Sequence, residues 1–139
     1  MKNILVAALA ATVLSACGFM TPAKQYAGDV RNVSGIALIK GHMGIPFSDD
    51  YHATIAGYTK VEPAGLGEQK KFGLPGFTDY PSEIHVLAGE YKVQVYCFSG
   101  FTSYRPTTTL PLQGGKTYLL KCEVHDSRAS VVVHASDTQ

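Results

Sequence analysis

Three cysteines and five histidines are the side chains of this chain that could most readily do chemistry. Cys17 follows an apolar run near the N-terminus, whereas Cys97 and Cys122 lie in segments of regular alternation further along. A thiolate can act as a nucleophile, bind a metal or pair with a second cysteine, so the chemistry at each position depends on its surroundings. Those surroundings differ enough to predict two separate roles.

The histidines and hydroxyl residues form no recognised catalytic or metal-binding pattern. No two histidines have helix-ligand spacing, and we expect them to be scattered over the surface and strand edges: His42, His52, His85, His125 and His134. No Gly-x-Ser-x-Gly occurs, and we expect the adjacent Asp49 and Asp50 to be solvated because the alternating oxygen ligands of a calcium loop do not follow them. We therefore assign no catalytic residues, no metal ligands and no cofactor, and we expect a protein that is not an enzyme.

The first 16 residues have the pattern of a cleaved signal peptide. Lys2 precedes an unbroken apolar run over residues 4–14, which small residues follow at 15–16. The run is much shorter than the roughly 20 residues that span a bilayer, and it lacks the polar face of a helix in a globular core. The pattern predicts export across a membrane.

The sequence Leu14-Ser15-Ala16-Cys17 closely resembles the lipobox of bacterial lipoproteins. The resemblance implies cleavage before Cys17, transfer of a diacylglyceryl group to its thiol and acylation of the new amino group. Several acyl chains together give stable membrane attachment. Gly18 at the next position resembles the pattern of lipoproteins sorted to the outer membrane, so we expect the mature chain to face the periplasm from that membrane.

The charge balance excludes some partners. Twelve basic residues face eleven acidic ones, and cleavage after Ala16 removes Lys2. A mature chain with a charge near zero has no electrostatic attraction to nucleic acid, so membrane attachment must come from the lipid.

Short alternating runs predict an all-β fold. Residues 17–29 are expected to form a lipidated, flexible tether, and residues 30–139 a single antiparallel β-sandwich of about seven strands. The strands are predicted at 35–40, 51–58, 82–87, 91–98, 107–112, 116–125 and 129–135. Gly89 and Gly114 lie in expected hairpin turns between them.

Two turn-and-strand units, over 87–93 and 112–120, share a Leu-x-Gly start followed by an alternating strand with a tyrosine. Together they are similar to bacterial lipoprotein domains of the PEGA and carboxypeptidase-regulatory-like type. That resemblance covers about residues 82–133 and implies a transthyretin-like sandwich used for binding or scaffolding, with no catalytic residues.

After lipidation of Cys17, an even pair of cysteines remains in an oxidising compartment. Cys97 and Cys122 both fall on the inward phase of predicted strands, and we predict a structural disulfide between them. Two buried free thiols and a redox-active pair are the alternatives, although no Cys-x-x-Cys motif supports the second.

Two loops carry candidate residues for binding a partner. The segment 60–81 is long for a connection and contains Phe72, Phe77 and Tyr80, while the segment 98–106 contains Phe98, Phe101, Tyr104 and Arg105. Tyrosine and arginine often anchor interfaces. The alternative is that these rings fold back and seal one end of the sandwich.

These features predict a lipid-anchored, non-catalytic binding or scaffold module of the cell envelope, whose partner is an envelope protein or a component of the cell wall. The alternative is an inhibitor of a cell-wall-degrading enzyme such as lysozyme, although no diagnostic motif of such inhibitors is evident.

Overall fold

The computed structural model of this chain describes residues 24–28, 32–62, 65–73 and 79–139. The signal peptide, Cys17 and Phe77 lie outside these ranges, so what the sequence predicts for them stays a prediction. No helix in the described ranges has the length and apolar character to span a bilayer.

Within the described residues, nine strands form two curled sheets that pack as a sandwich, which confirms the predicted all-β class. One sheet has the order β4-β1-β8-β9, and the other has the order β3-β2-β5, with β6 and β7 sharing the remaining edge of β5. Among the named strands, β1 and β8 pair in parallel and the other pairs are antiparallel. The strands are β1 (Ile36–Gly41), β2 (His52–Glu62), β3 (Gly65–Lys71), β4 (Glu83–Leu87), β5 (Gly89–Ser99), β6 (Thr102–Tyr104), β7 (Thr107–Leu112), β8 (Lys116–His125) and β9 (Arg128–Asp137).

Two of these strands were not predicted. We expected a long connection over residues 60–81, but β2 continues to Glu62 and β3 follows at Gly65–Lys71. β3 is exposed along nearly its whole length, so no alternation of apolar and polar residues marks it. It forms because its backbone pairs with β2. β6 is only three residues long and has two exposed side chains, so it also lacks a pattern.

The core lies between the two sheets, where the inward residues of alternating strands meet. In β5, the inward positions alternate with half-buried or exposed ones, as period-two patterning requires. Each fully buried branched side chain stabilises the fold by about 1.5–3 kcal/mol. The enclosed core residues include Ala37, Ile39, Ala53, Ile55, Ile84, Val86, Val93, Val95 and Leu120.

The predicted bond between Cys97 and Cys122 is present, and it joins the two sheets. Cys97 lies on β5 and Cys122 on β8, their Cα atoms are 6.0 Å apart, and both side chains are buried in the core. The pair closes a sequence separation of 25 residues. Because the strands belong to opposite sheets, the bond limits how far the sheets can separate.

The edge of β5 is interrupted between β6 and β7. β6 pairs with Cys97 to Ser99, and β7 pairs with Gly89 to Gln94. Between these ladders, the carbonyl of Pro106 accepts a hydrogen bond of 2.9 Å from the amide of Val95. Proline has no amide proton to continue a ladder. The break brings Arg105 beside the outward side chain of Tyr96.

The ends of the sandwich differ in which chain segments they carry. We call one of them the upper end. Three strands end there, β1, β5 and β8. Three others begin there, β2, β4 and β9. The upper end carries the connection 42–51 and the turn at Gly100 and Phe101.

Part of the segment expected to be a tether contacts the four-stranded sheet. Lys24 forms an isolated parallel bridge with His85 on β4, and the amide of Gln25 donates a 2.8 Å hydrogen bond to the His85 carbonyl. The phenol of Tyr58 also donates to the side-chain oxygen of Gln25, at 3.3 Å. Lys24 and Gln25 are therefore in contact with the domain.

Candidate functional site

The outer face of the five-stranded sheet carries a row of aromatic rings. Tyr96 and Phe98 point away from the core because Val95 and Cys97 take the inward positions of β5. Their ring centroids are 5.3 Å apart with the planes nearly parallel, at 29°. His52, paired with Phe98 across the sheet, places its ring 4.8 Å from the Phe98 ring.

An arginine and a further tyrosine complete this row. The guanidinium of Arg105 lies 5.0 Å from the Tyr96 ring centre and 5.5 Å from that of Tyr80, and it donates a 2.8 Å hydrogen bond to the Tyr80 hydroxyl. Tyr80 also meets Tyr96 edge to face at 5.3 Å. Such cation–π contacts contribute about 0.5–1 kcal/mol at exposed sites. We call the set His52, Tyr80, Tyr96, Phe98 and Arg105 the aromatic–arginine cluster.

A second surface lies at the upper end, where four apolar side chains face solvent. They are Met43, Ile45, Phe47 and Phe101, and we call them the apolar tip. The rings of Phe47 and Phe101 meet edge to face with centroids 5.8 Å apart. Large apolar side chains grouped on a surface are typical of sites that contact a partner or a membrane.

Hydrogen bonds hold the apolar tip in a defined shape. The hydroxyl of Ser99 donates to the carbonyl of Ser48 at 2.7 Å, and it accepts from the Ser48 amide at 3.0 Å. The amide of Ile45 donates to the carbonyl of Asp50, at 2.9 Å. Ser99 itself is buried at the end of β5, so the core strand directly supports the connection 42–51.

The backbone of the apolar tip is strained at a bulky residue. Phe47 has a φ of 57°, a left-handed conformation that costs a non-glycine residue about 1–2 kcal/mol. Its ring lies against Gly100, which has a φ of 61°, and a side chain at Gly100 would collide with that ring. A strained backbone conformation at Phe47, beside a glycine that leaves room for its ring, thus presents a phenylalanine to solvent, a cost that folding alone does not explain.

A tyrosine pair lies behind the apolar tip. Tyr51 and Tyr104 meet edge to face at 5.9 Å, and both pack against the core. Partial burial, with the neighbouring Tyr104 and Asp49 as further causes, raises the pKa of Tyr51. Tyr51 also lines the same hollow at the upper end as Phe47 and Phe101.

The candidate binding residues divide into three groups. Phe98, Tyr80 and Arg105 come together in the aromatic–arginine cluster, and Phe101 lies apart on the apolar tip. Tyr104 and Phe72 instead pack against the core, the alternative expected for these rings. Phe77 lies outside the described residues.

Sequence reasoning missed Tyr96, His52 and Phe47. Tyr96 and Phe98 flank Cys97, so the inward assignment of Cys97 already implied that both rings face outward. No comparable signal existed for His52 or Phe47. Their positions depend on a cross-strand register and on a loop conformation.

Asp50 is less solvated than expected, because it has two basic partners. Nε2 of His42 lies 2.8 Å from its carboxylate, and Nζ of Lys121 lies 3.8 Å away on β8. Asp50 is half-buried because the connection 42–51 folds back to bring it beside the end of β1. Asp49, by contrast, is exposed. The described residues hold no cluster of three potential metal ligands.

Comparison with known proteins adds no family to this geometry. No family model, no curated protein and no solved structure matches the chain.

Proposed function

We propose that this chain is a lipid-anchored lipoprotein of the bacterial cell envelope that acts as a non-catalytic binding module. The lipobox-like sequence ending at Cys17 supports the anchor, and the disulfide between the sheets suits a protein of an oxidising compartment. The observation that carries the binding role is the aromatic–arginine cluster on the outer face of the five-stranded sheet.

The cluster has the properties of a preorganised binding surface. The rings of Tyr80, Tyr96 and Phe98 contact one another, and Arg105 lies across two of them. Side chains already held in place lose little conformational freedom on binding, which favours affinity. Tyrosine and arginine are also the residues most often found to dominate interface energies.

Arg105 indicates the chemistry of the partner. Its guanidinium has five N–H donors, and within the described residues Tyr80 accepts one of the hydrogen bonds they can form. An exposed fork of donors next to flat rings suits a carboxylate beside an apolar or planar group. The partner is an envelope protein, or a cell-wall component with such a group.

Site-specific photocross-linking in intact cells tests the binding role. A photoreactive residue at Ser103 lies beside Phe98 on the same face, and one at exposed His134 on β9 reports on the other sheet. We expect a discrete cross-linked product from position 103 and none from position 134. Substituting Arg105→Ala should reduce that product at least about tenfold, whereas the melting temperature should fall only by the few degrees that loss of the cation–π contacts costs.

The substitution Arg105→Lys is the matched control because it keeps the charge but loses the planar fork of donors. The Arg105→Lys variant should give little more of the cross-linked product from position 103 than Arg105→Ala does. Equal products from both positions, or a product unaffected by Arg105→Ala, would contradict the role of the cluster. Capture of a cell-wall-degrading enzyme would support the alternative, and loss of that enzyme's activity on addition of the purified protein would establish inhibition.

Mass spectrometry of the mature N-terminus tests the anchor separately. We expect a chain that starts at Cys17 and carries acyl groups. An intact Met1 or an unmodified Cys17 would refute the lipoprotein assignment.

A further inference from the structure

The apolar tip holds most of the large apolar side chains that the described part of the chain exposes. Of the five large apolar side chains that the described residues expose, four belong to the tip: Met43 at 77%, Ile45 at 63%, Phe47 at 75% and Phe101 at 100%. The fifth, Leu66, lies alone on β3 near the lower end of the sandwich. This asymmetry requires a cause other than chance exposure of single residues.

The direction of the chain at Lys24 shows from which end the N-terminal segment arrives. Lys24 pairs in parallel with His85, and β4 runs from the upper end of the sandwich toward the lower end. The backbone at Lys24 and Gln25 therefore also runs away from the upper end. It follows that the chain before Lys24 enters this contact from the side of the apolar tip.

The length of that chain keeps Cys17 close to the domain. Seven peptide units connect Cys17 to Lys24, and they can span at most about 25 Å. Lys24 pairs with His85, which lies opposite Leu38 of β1. Leu38 is three residues before the upper end of β1, so Lys24 lies about 10 Å below that end. A direct path can therefore pass the end of β1 with about 15 Å to spare.

A path to the lower end is much less favourable. The chain would first have to reverse, which takes a turn of about four residues. The three remaining residues can then run about 10 Å toward the lower end. That distance brings Cys17 only to the level of the lower end of β4. An anchor at Cys17 thus places the upper end of the sandwich toward the membrane.

We propose that the apolar tip inserts into the interface of the lipid bilayer in which Cys17 is anchored, an inference that rests on the proposed lipoprotein function. Phe47 and Phe101 enter the region between headgroups and acyl chains. Tyr51 lines the same hollow as these two rings and packs against Tyr104, and rings with a polar end are favoured at a membrane surface. The strands then stand along the membrane normal, and the aromatic–arginine cluster on the side of the sandwich stays open to a partner.

A single introduced tryptophan can measure this insertion, because the chain contains none. The mature acylated protein is reconstituted into vesicles of phosphatidylethanolamine and phosphatidylglycerol that include lipids with brominated acyl chains. Phe101→Trp reports on the apolar tip, and Leu66→Trp is the matched control at an exposed apolar position near the lower end. Ile45→Trp provides a second reporter on the tip, and melting temperatures verify that each variant is folded.

We expect brominated lipid to quench both tip reporters by about twofold or more and to leave Leu66→Trp unchanged. Quenching of Leu66→Trp to the same extent, or quenching of neither position, would overturn the proposed orientation. A blue-shifted emission of the tip reporters without quenching would mean that a second copy of the chain covers the tip, and it would also overturn the proposal.

The mass of the N-terminal peptide from the same sample separates the two proposals. Acylated Cys17 with an unquenched tip leaves the anchor intact and refutes only the insertion. An unacylated Cys17 refutes both.

Discussion

Cys97 and Phe101 lie four residues apart at the same end of β5, yet their surroundings are opposite. The side chain of Cys97 is 0% exposed and joins the two sheets, while that of Phe101 is 100% exposed beyond the last core residue. Between them, Ser99 is buried and bonded to the connection 42–51. One strand and the turn that follows it therefore carry a fully enclosed core residue and a fully exposed ring.

This difference separates residues that stabilise the fold from residues that need another explanation. Burial at Cys97 contributes to folding directly, through the disulfide and through contact with the core. Exposure of Phe101 and the left-handed backbone of Phe47 contribute nothing to it and even oppose it. The centre of the sandwich is thus expected to respond to substitution as a unit, and the apolar tip is expected to respond mainly through what it contacts.

The largest effect is expected from removing the disulfide. For a separation of 25 residues, loss of the constraint on the unfolded chain corresponds to about 3.5 kcal/mol. The double substitution Cys97→Ala with Cys122→Ala should lower the free energy of unfolding by about that amount, measured by urea denaturation. A loss below about 1 kcal/mol would show that the core holds the sheets together without the bond.

Reduction provides the matched control for this variant. A reducing agent should destabilise the natural sequence and leave the double variant unaffected. Because both samples keep all other contacts, a response of the double variant would indicate an effect of the reagent on something other than this bond.

An intermediate effect is expected at Ser99, which joins the two regions. Ser99→Ala removes both hydrogen bonds between its hydroxyl and the backbone of Ser48. We expect a loss of about 1–2 kcal/mol in urea denaturation, together with faster amide exchange over residues 45–50. Ser103→Ala, at an exposed position on β6, is the control and should change neither. Equal exchange in the two variants would mean that Ser99 does not hold the connection in place.

The smallest effect on stability is expected at Phe101. Phe101→Ser removes a fully exposed ring and should change the free energy of unfolding by less than about 0.5 kcal/mol. The same substitution should still reduce insertion of the apolar tip into the vesicles described above. A large loss of stability would show instead that Phe101 supports the fold through Phe47, and the contrast between the two regions would not hold.

The predictable part of this fold lies where side chains alternate. β7 and β8 were predicted with the bounds that the structure has, because Leu110 and Leu112, like Leu120 and Cys122, mark an inward face. β3 carries glycines and charged residues with no such face, so only its pairing with β2 defines it. Hydrophobic periodicity identifies strands that bury one side, and it is silent about strands held by backbone hydrogen bonds alone.

The sequence predicted individual residues of the candidate sites, but it did not predict which of them contact one another. Arg105 and Tyr80 were selected one by one, yet 25 positions separate them, and their hydrogen bond depends on the break between β6 and β7. Phe47 carried no signal, because a phenylalanine between Pro46 and Ser48 in a loop gives no indication of a left-handed backbone.

By itself the sequence determined the all-β class, the inward phase of the cysteine strands and the expectation of a lipid anchor, because each depends on residue type and local period. Only the tertiary structure decided which rings pack and which stay exposed, because residues far apart in the chain must first be brought into register. The same holds for the direction in which the chain meets the domain at Lys24. A local pattern specifies which side of a strand is apolar, whereas the surface that a protein presents is determined by how its strands are connected.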